Sequence, residues 1–178
     1  TLSLSGHPDH AIVMRKGSDN ELSSSIADNQ LGQIASAPGV KKGSDGRPIA
    51  FGDVVAVIFV DLANGPGKTN LTIRGVSSDG IAFRPEVKVV EGRMLEFGSN
   101  EVVVGRGASA NFAGLEVGSE IRSGQTTWQV VGMFEADGGV AETEVWCDAR
   151  VLQGAYRRGN TYQLVMAQLD SADSLTAF

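Results

Sequence analysis

The residues with the plainest chemical capacity are His7-Pro8-Asp9-His10, which put two imidazoles and a carboxylate within four positions. Imidazole and carboxylate are competent metal ligands by type, and a closed site usually takes four of them. The chain has no other histidine, so a complete site would have to recruit distant carboxylates; we read the segment as solvated chain and assign no metal ligand. Nucleophilic catalysis by serine or cysteine needs a base within hydrogen-bond reach, and the only histidines lie in that same segment. Cys147 follows Trp146 in an apolar stretch, where a thiol serves as a small buried hydrophobe. Glu91, Glu96, Glu101, Glu142 and Glu144 are candidates for general acid and base work, but no spacing marks two of them as a pair.

Two glycine motifs suggest phosphate chemistry. Gly67-Lys68-Thr69 has the tail of a phosphate-binding loop, yet the position that needs the first glycine holds Leu62, and the following NLTIRGV reads as a strand where the motif requires a helix. Gly105-Arg106-Gly107-Ala108-Ser109-Ala110 follows the strand EVVVG and reads G-x-G-x-x-A, as a dinucleotide fingerprint does. That fold also needs an acidic residue about 20 positions on, at the end of a second strand, within alternating strands and helices. Short strands follow instead, so the glycines are read as a tight strand-to-helix turn. Asn70-Leu71-Thr72 matches a glycosylation sequon, which matters only in a eukaryotic secretory context. No catalytic, cofactor-binding or metal residue is assigned, and no cofactor is expected.

The elements that would position any site are mostly strands. We expect a strand over 11–15, a helix from Ser25 carrying Ile26, Leu31, Ile34 and Ala35 and stopped by Pro38-Gly39, and a polar loop from Val40 to Pro48. Residues 53–62 form the clearest strand, since VVAVIFV is β-branched and bounded by glycine turns, and its near-continuous apolarity predicts burial on both faces. It should pair as a hairpin with 69–76 across Asn64-Gly65-Pro66-Gly67. After Ser77-Ser78-Asp79-Gly80 the strands shorten, which marks a candidate boundary. Strands are expected at 87–91, 101–105, 120–122, 127–135 and 144–147, with helices at 106–112 and 149–156. Alternate apolar residues on both parities predict that 127–135 is covered on both sides. A last strand over 162–169 is followed by Ser171 as the N-cap of a further helix.

Composition sets the class. At 178 residues, 42% hydrophobic and 20% charged, the chain is globular, and a net charge of −6 argues against a nucleic-acid partner. The longest apolar run, Val54–Val60, has seven residues, far short of the roughly 20 of a membrane-spanning helix. One cysteine leaves the redox compartment open. The start at Thr1, without methionine, is read as that of a processed product or a piece excised from a longer protein, with the excised piece preferred.

An ordered set of segments resembles the extracytoplasmic core domain of MacB-like and FtsX/LolC-like ABC transporter permeases. They are Glu21-Leu22-Ser23-Ser24-Ser25-Ile26 entering a helix, Ala37-Pro38-Gly39-Val40 ending it, and Val90-Glu91-Gly92-Arg93-Met94. After these come Asn100-Glu101-Val102-Val103-Val104-Gly105, Gly114-Leu115-Glu116-Val117-Gly118 and Trp128-Gln129-Val130-Val131-Gly132-Met133-Phe134.

The resemblance implies an α+β, two-lobe domain: a porter-like βαββ subdomain from residues 1–80 and 160–178, and a small strand-rich subdomain, 81–159, inserted between them. It further implies a periplasmic or extracytoplasmic location on an inner-membrane protein, with membrane helices lying outside the present sequence. A cytoplasmic ATPase is the implied partner through those helices, with a periplasmic adaptor, carrier or substrate outside, in a homodimer or heterodimer. The domain would bind and transmit motion without catalysis; apart from the resemblance, the glycine-containing Ser78-Asp79-Gly80 and Gly138-Gly139 segments are read as junctions that could absorb backbone change between two lobes. Phe83-Arg84-Pro85, Met94-Leu95-Glu96-Phe97 and Tyr156-Arg157-Arg158 are weighed as contact points against core plugs and a solvated helix end. The partner-binding residues stay unassigned. A carboxylate-dependent soluble enzyme, and a freestanding scaffold or adhesion domain, are the competing readings.

Overall fold

The computed structural model describes residues 2–4 and 7–176. In chain order these form β1 (Leu2–Leu4), β2 (His10–Val13), β3 (Ile26–Ala27), α1 (Asp28–Ala35), β4 (Ala50–Asp61), β5 (Lys68–Val76), α2 (Ser78–Ala82) and β6 (Lys88–Gly92). Then come β7 (Glu101–Gly105), α3 (Arg106–Asn111), β8 (Glu120–Ser123), β9 (Thr126–Glu135), β10 (Val145–Asp148), α4 (Ala149–Ala155), β11 (Thr161–Tyr162) and β12 (Leu164–Gln168). Short 3-10 turns lie at Glu21–Ser23, Val140–Thr143 and Ala172–Thr176. The class is α+β, with strands predominating.

Two compact units divide the chain: residues up to Val54 together with those from Asn160 onward, and Val55–Gly159. The first division falls inside β4 and not after Ser77–Gly80, so the segments 1–80 and 81–159 do not coincide with these units. The reason is a long-range strand pair. Ile73–Val76 of β5 lie parallel to Val145–Asp148 of β10, which commits β5 to the second unit. Ser77–Gly80 is no loop, since the Ser77 hydroxyl accepts from the Gly80 N–H at 3.0 Å and caps α2.

In the first unit the strand order is β1-β2-β12-β4, antiparallel from β1 to β4, and β11 pairs with β3. Its buried residues include Ala11, Val40, Ile49, Leu164, Val165 and Leu169. The helix expected from Ser25 starts at Asp28, because Ile26 and Ala27 are drawn into a strand by Tyr162 and Thr161. Gln30 then takes the capping role, accepting from the Ala27 N–H at 2.9 Å. The final strand breaks between Tyr162 and Leu164, and the chain after Ser171 forms a 3-10 turn within the described residues.

In the second unit β5 lies between β4 and β10, β10 pairs antiparallel with β7, and β7 runs parallel to β9. The other edge of β9 carries β8 on its first half and β6 on its second. Gly75 lets α4 close on β5, since a Cβ there would lie 2.7 Å from the Ala149 Cα. Coverage of β9 is unequal: Trp128, Val130 and Phe134 are buried, whereas Gln129 is exposed and Val131 and Met133 are half-buried, Val131 packing against the cluster that holds Leu95 and Trp146. Likewise β4 is buried on both faces only through Ala56. Beyond it Ile58 and Val60 face the core and Phe59 is 67% exposed.

The Asp148 carboxylate joins β10 to α4. Its Oδ1 accepts from the Arg150 and Val151 N–H groups at 2.6 and 3.3 Å, and its Oδ2 accepts from the Gly98 N–H at 2.8 Å. Asp148→Ala removes an N-cap and a loop tether, so stability should fall by about 1 kcal/mol, read as a lower urea midpoint at unchanged slope.

Candidate contact surface

The side chains with chemical capacity are mostly committed to structure. His7 and His10 lie ring to ring at 4.9 Å, and Asp9 accepts from the Gln168 amide at 3.0 Å, which holds its carboxyl below the usual range. Among the described residues no three His, Cys, Asp or Glu are grouped to hold a metal ion. Cys147 is fully buried in β10, and burial pushes its thiol well above the ordinary value, the opposite of what a nucleophile needs.

The carboxylates act as clasps. Glu101 takes the Arg93 guanidinium at 2.5 and 2.7 Å, and that bond holds its carboxyl low. Glu142 accepts from the N–H groups of Ala136 and Gly138 at 2.7 and 2.8 Å, which lowers its carboxyl in the same way. These bonds tie down the turn at Gly138-Gly139 that sequence reading treats as a hinge. Glu91 and Glu96 are exposed.

Neither glycine motif forms a ligand cradle. The Leu62 N–H donates to the Gly67 carbonyl at 3.1 Å, and Lys68 opens strand β5. At Gly105 the space that a ligand phosphate would need is filled by the backbone of Glu142, with which a Cβ would collide. The contact-point candidates are largely plugs: Leu95 is buried, while Met94 and Phe97 pack on the cluster of Val76, Val103, Phe134 and Trp146. Arg158 donates to the Val55 carbonyl at 2.5 Å and lies against the Tyr156 ring, whose hydroxyl is 2.7 Å from that of Ser123.

One constellation escaped the sequence. Arg74 and Glu144 form a bidentate pair at 2.7 and 2.9 Å, and the Trp146 indole N–H donates to the same carboxylate at 2.9 Å. The Arg84 guanidinium stands 5.2 Å from the Trp146 ring centroid. The clue was Glu144-Val145-Trp146, whose outer residues share one face of a strand by period two; the arginine, 70 positions away, had no local signal.

On the surface of the second unit a cleft of about 350 Å³ is lined by Phe59, Asp61, Lys68, Leu115, Glu120 and Arg122 among others. Phe59 and, near it in sequence, Leu62 are exposed large apolar residues. An aromatic rimmed by charges of both signs is the composition of a contact surface, the apolar ring supplying area and the charges register.

Two solved structures share the fold. The extracellular domain of the noncanonic ABC-type transporter YknZ from Gram-positive bacteria superposes with a TM-score of 0.63 at 17% identity, covering 93% of this chain and 85% of that one. The periplasmic region of MacB from Actinobacillus actinomycetemcomitans gives 0.62 at 12% identity, covering 94% and 78%. Among curated proteins none matches the chain. No helix among the described residues is long and apolar enough to cross a membrane. The family described as MacB-like periplasmic core domain matches residues 6–178, so the chain belongs to that family, the extracytoplasmic domain of MacB-like ABC transporter permeases.

Proposed function

We propose that this domain meets a partner or substrate outside the cytoplasm and passes to it the motion that a cytoplasmic ATPase drives through membrane helices, with no chemistry of its own. The family match over residues 6–178 carries the reading. The structure supports it on the catalytic side: Glu101, Glu142 and Glu144 hold hydrogen bonds to their own fold, and the Cys147 thiol is buried. The outside partner is a periplasmic adaptor, a carrier or the transported molecule, and the intact permease is a homodimer or heterodimer.

The test is the full-length parent gene. Apolar runs of about 20 residues before and after this domain, one and three in number, with an ATPase gene beside it, are the expected finding. A parent without such runs would sink the reading. For the contact surface, Phe59→Ser should change stability by less than about 0.5 kcal/mol, since the ring is two-thirds exposed. Transport by the intact permease should nevertheless fall severalfold; unchanged transport would remove Phe59 from the contact.

A further inference from the structure

A second cleft, of about 380 Å³, lies wholly within the first unit. Its apolar lining is Val13 at the end of β2, Met14, Ile26 of β3 and Ile34 of α1. Helix α1 has no fully buried residue, so its apolar stripe at Leu31 and Ile34 is only half covered. The cleft's charged lining is Arg15 and Lys16, both exposed, with no carboxylate among the lining residues. In a chain of net charge −6 that is a local reversal of sign. The cleft of the second unit, by contrast, balances Lys68 and Arg122 against Asp61 and Glu120.

We propose that the cleft of the first unit binds an amphipathic anion, an aliphatic chain of medium length ending in a carboxylate. The volume suits a small ligand, since ligand pockets run from about 300 to 1,000 Å³. The apolar part of the lining, which stands beside the polar Ser25, Gln30 and Gln33, selects an apolar body, because a bare inorganic anion would leave Val13, Met14 and Ile34 uncovered. Two lining cations adjacent in sequence, Arg15 and Lys16, select a negative head, and a neutral amphiphile would leave them unused. The backbone at Arg15 is tied to the fold, as its N–H donates to the buried Ser24 hydroxyl at 2.9 Å. This inference does not rest on the permease reading, since it concerns binding by the domain alone.

Titration calorimetry with decanoate, octanoate and the neutral 1-decanol tests it on the chain as it stands. Decanoate should saturate a single site at least tenfold more tightly than decanol, a difference of about 1.4 kcal/mol. Shortening to octanoate should weaken binding by up to roughly 15-fold, as two methylenes leave the apolar lining. Arg15→Glu combined with Lys16→Glu should remove the preference for decanoate and leave decanol binding unchanged. Both positions are exposed, so the variant should keep its fold, checked by circular dichroism. Ile34→Glu should weaken both ligands. Equal binding of decanoate and decanol, no effect of the charge reversal, or binding that never saturates at one equivalent would each overturn the proposal.

Discussion

Replacing Glu144 with alanine should lower the stability of the domain by about 3–5 kcal/mol, a large part of what holds a domain of this size together. Glu144 is 7% exposed, and its carboxylate answers three donors at once: two from the Arg74 guanidinium and the indole N–H of Trp146. Truncation leaves the guanidinium buried without this carboxylate and the indole N–H without this acceptor. The penalty is therefore desolvation that this carboxylate no longer offsets, and not merely a lost attraction. An exposed pair such as Arg47 and Asp45 is worth far less, because water replaces the partner. A double-mutant cycle separates the two cases. Arg74→Met should cost nearly as much alone, while Arg74→Met with Glu144→Leu should cost clearly less than the sum, since two apolar groups leave no buried charge. Urea midpoints of the four proteins give the coupling. A loss under about 1 kcal/mol for Glu144→Ala would mean that water reaches the guanidinium.

The same pair shows where sequence reading stops. Strands such as Glu101–Gly105 and the hairpin of β4 and β5 were legible because apolar runs and glycine turns are local signals. The parallel pairing of β5 with β10 was not, since its partners lie some seventy residues apart and nothing in TIRGV names VWCD as a neighbour. From that omission comes the difference between the boundary read after Ser77–Gly80 and the compact units, which part inside β4. Strand β3 was lost for a similar reason: Ile26-Ala27 fits a helical period until Thr161 and Tyr162 offer it a ladder. Burial was misjudged where a run of apolar residues outlasts its cover, as at Phe59. The candidate surface at Phe59 was hidden for that reason, because exposure of an aromatic is a property of the packed unit and not of its strand.

Gly105→Ala is the case in which two functional readings of one motif predict different losses. The backbone of Gly105 has φ near −64°, which alanine adopts without strain. On backbone entropy alone the substitution would stabilise by about 0.4–1 kcal/mol. Here a Cβ would run into the carbonyl of Glu142, in the 3-10 turn Val140–Thr143, and the Gly105 N–H donates to the carbonyl of Glu144, the residue after that turn, at 2.9 Å. Both contacts are backbone, so no side chain can swing aside, and overpacking should outweigh the entropy gain for a net loss of about 1–3 kcal/mol. The control is Gly154→Ala in α4, where nothing lies within 4 Å of an added Cβ and alanine should stabilise by up to about 1 kcal/mol. Were Gly105 and Gly107 a dinucleotide cradle, Gly105→Ala would keep its urea midpoint and lose nucleotide binding. The turn at Glu142 occupies that space already, so the expected pattern is a lowered midpoint, with calorimetry against NAD silent for both proteins.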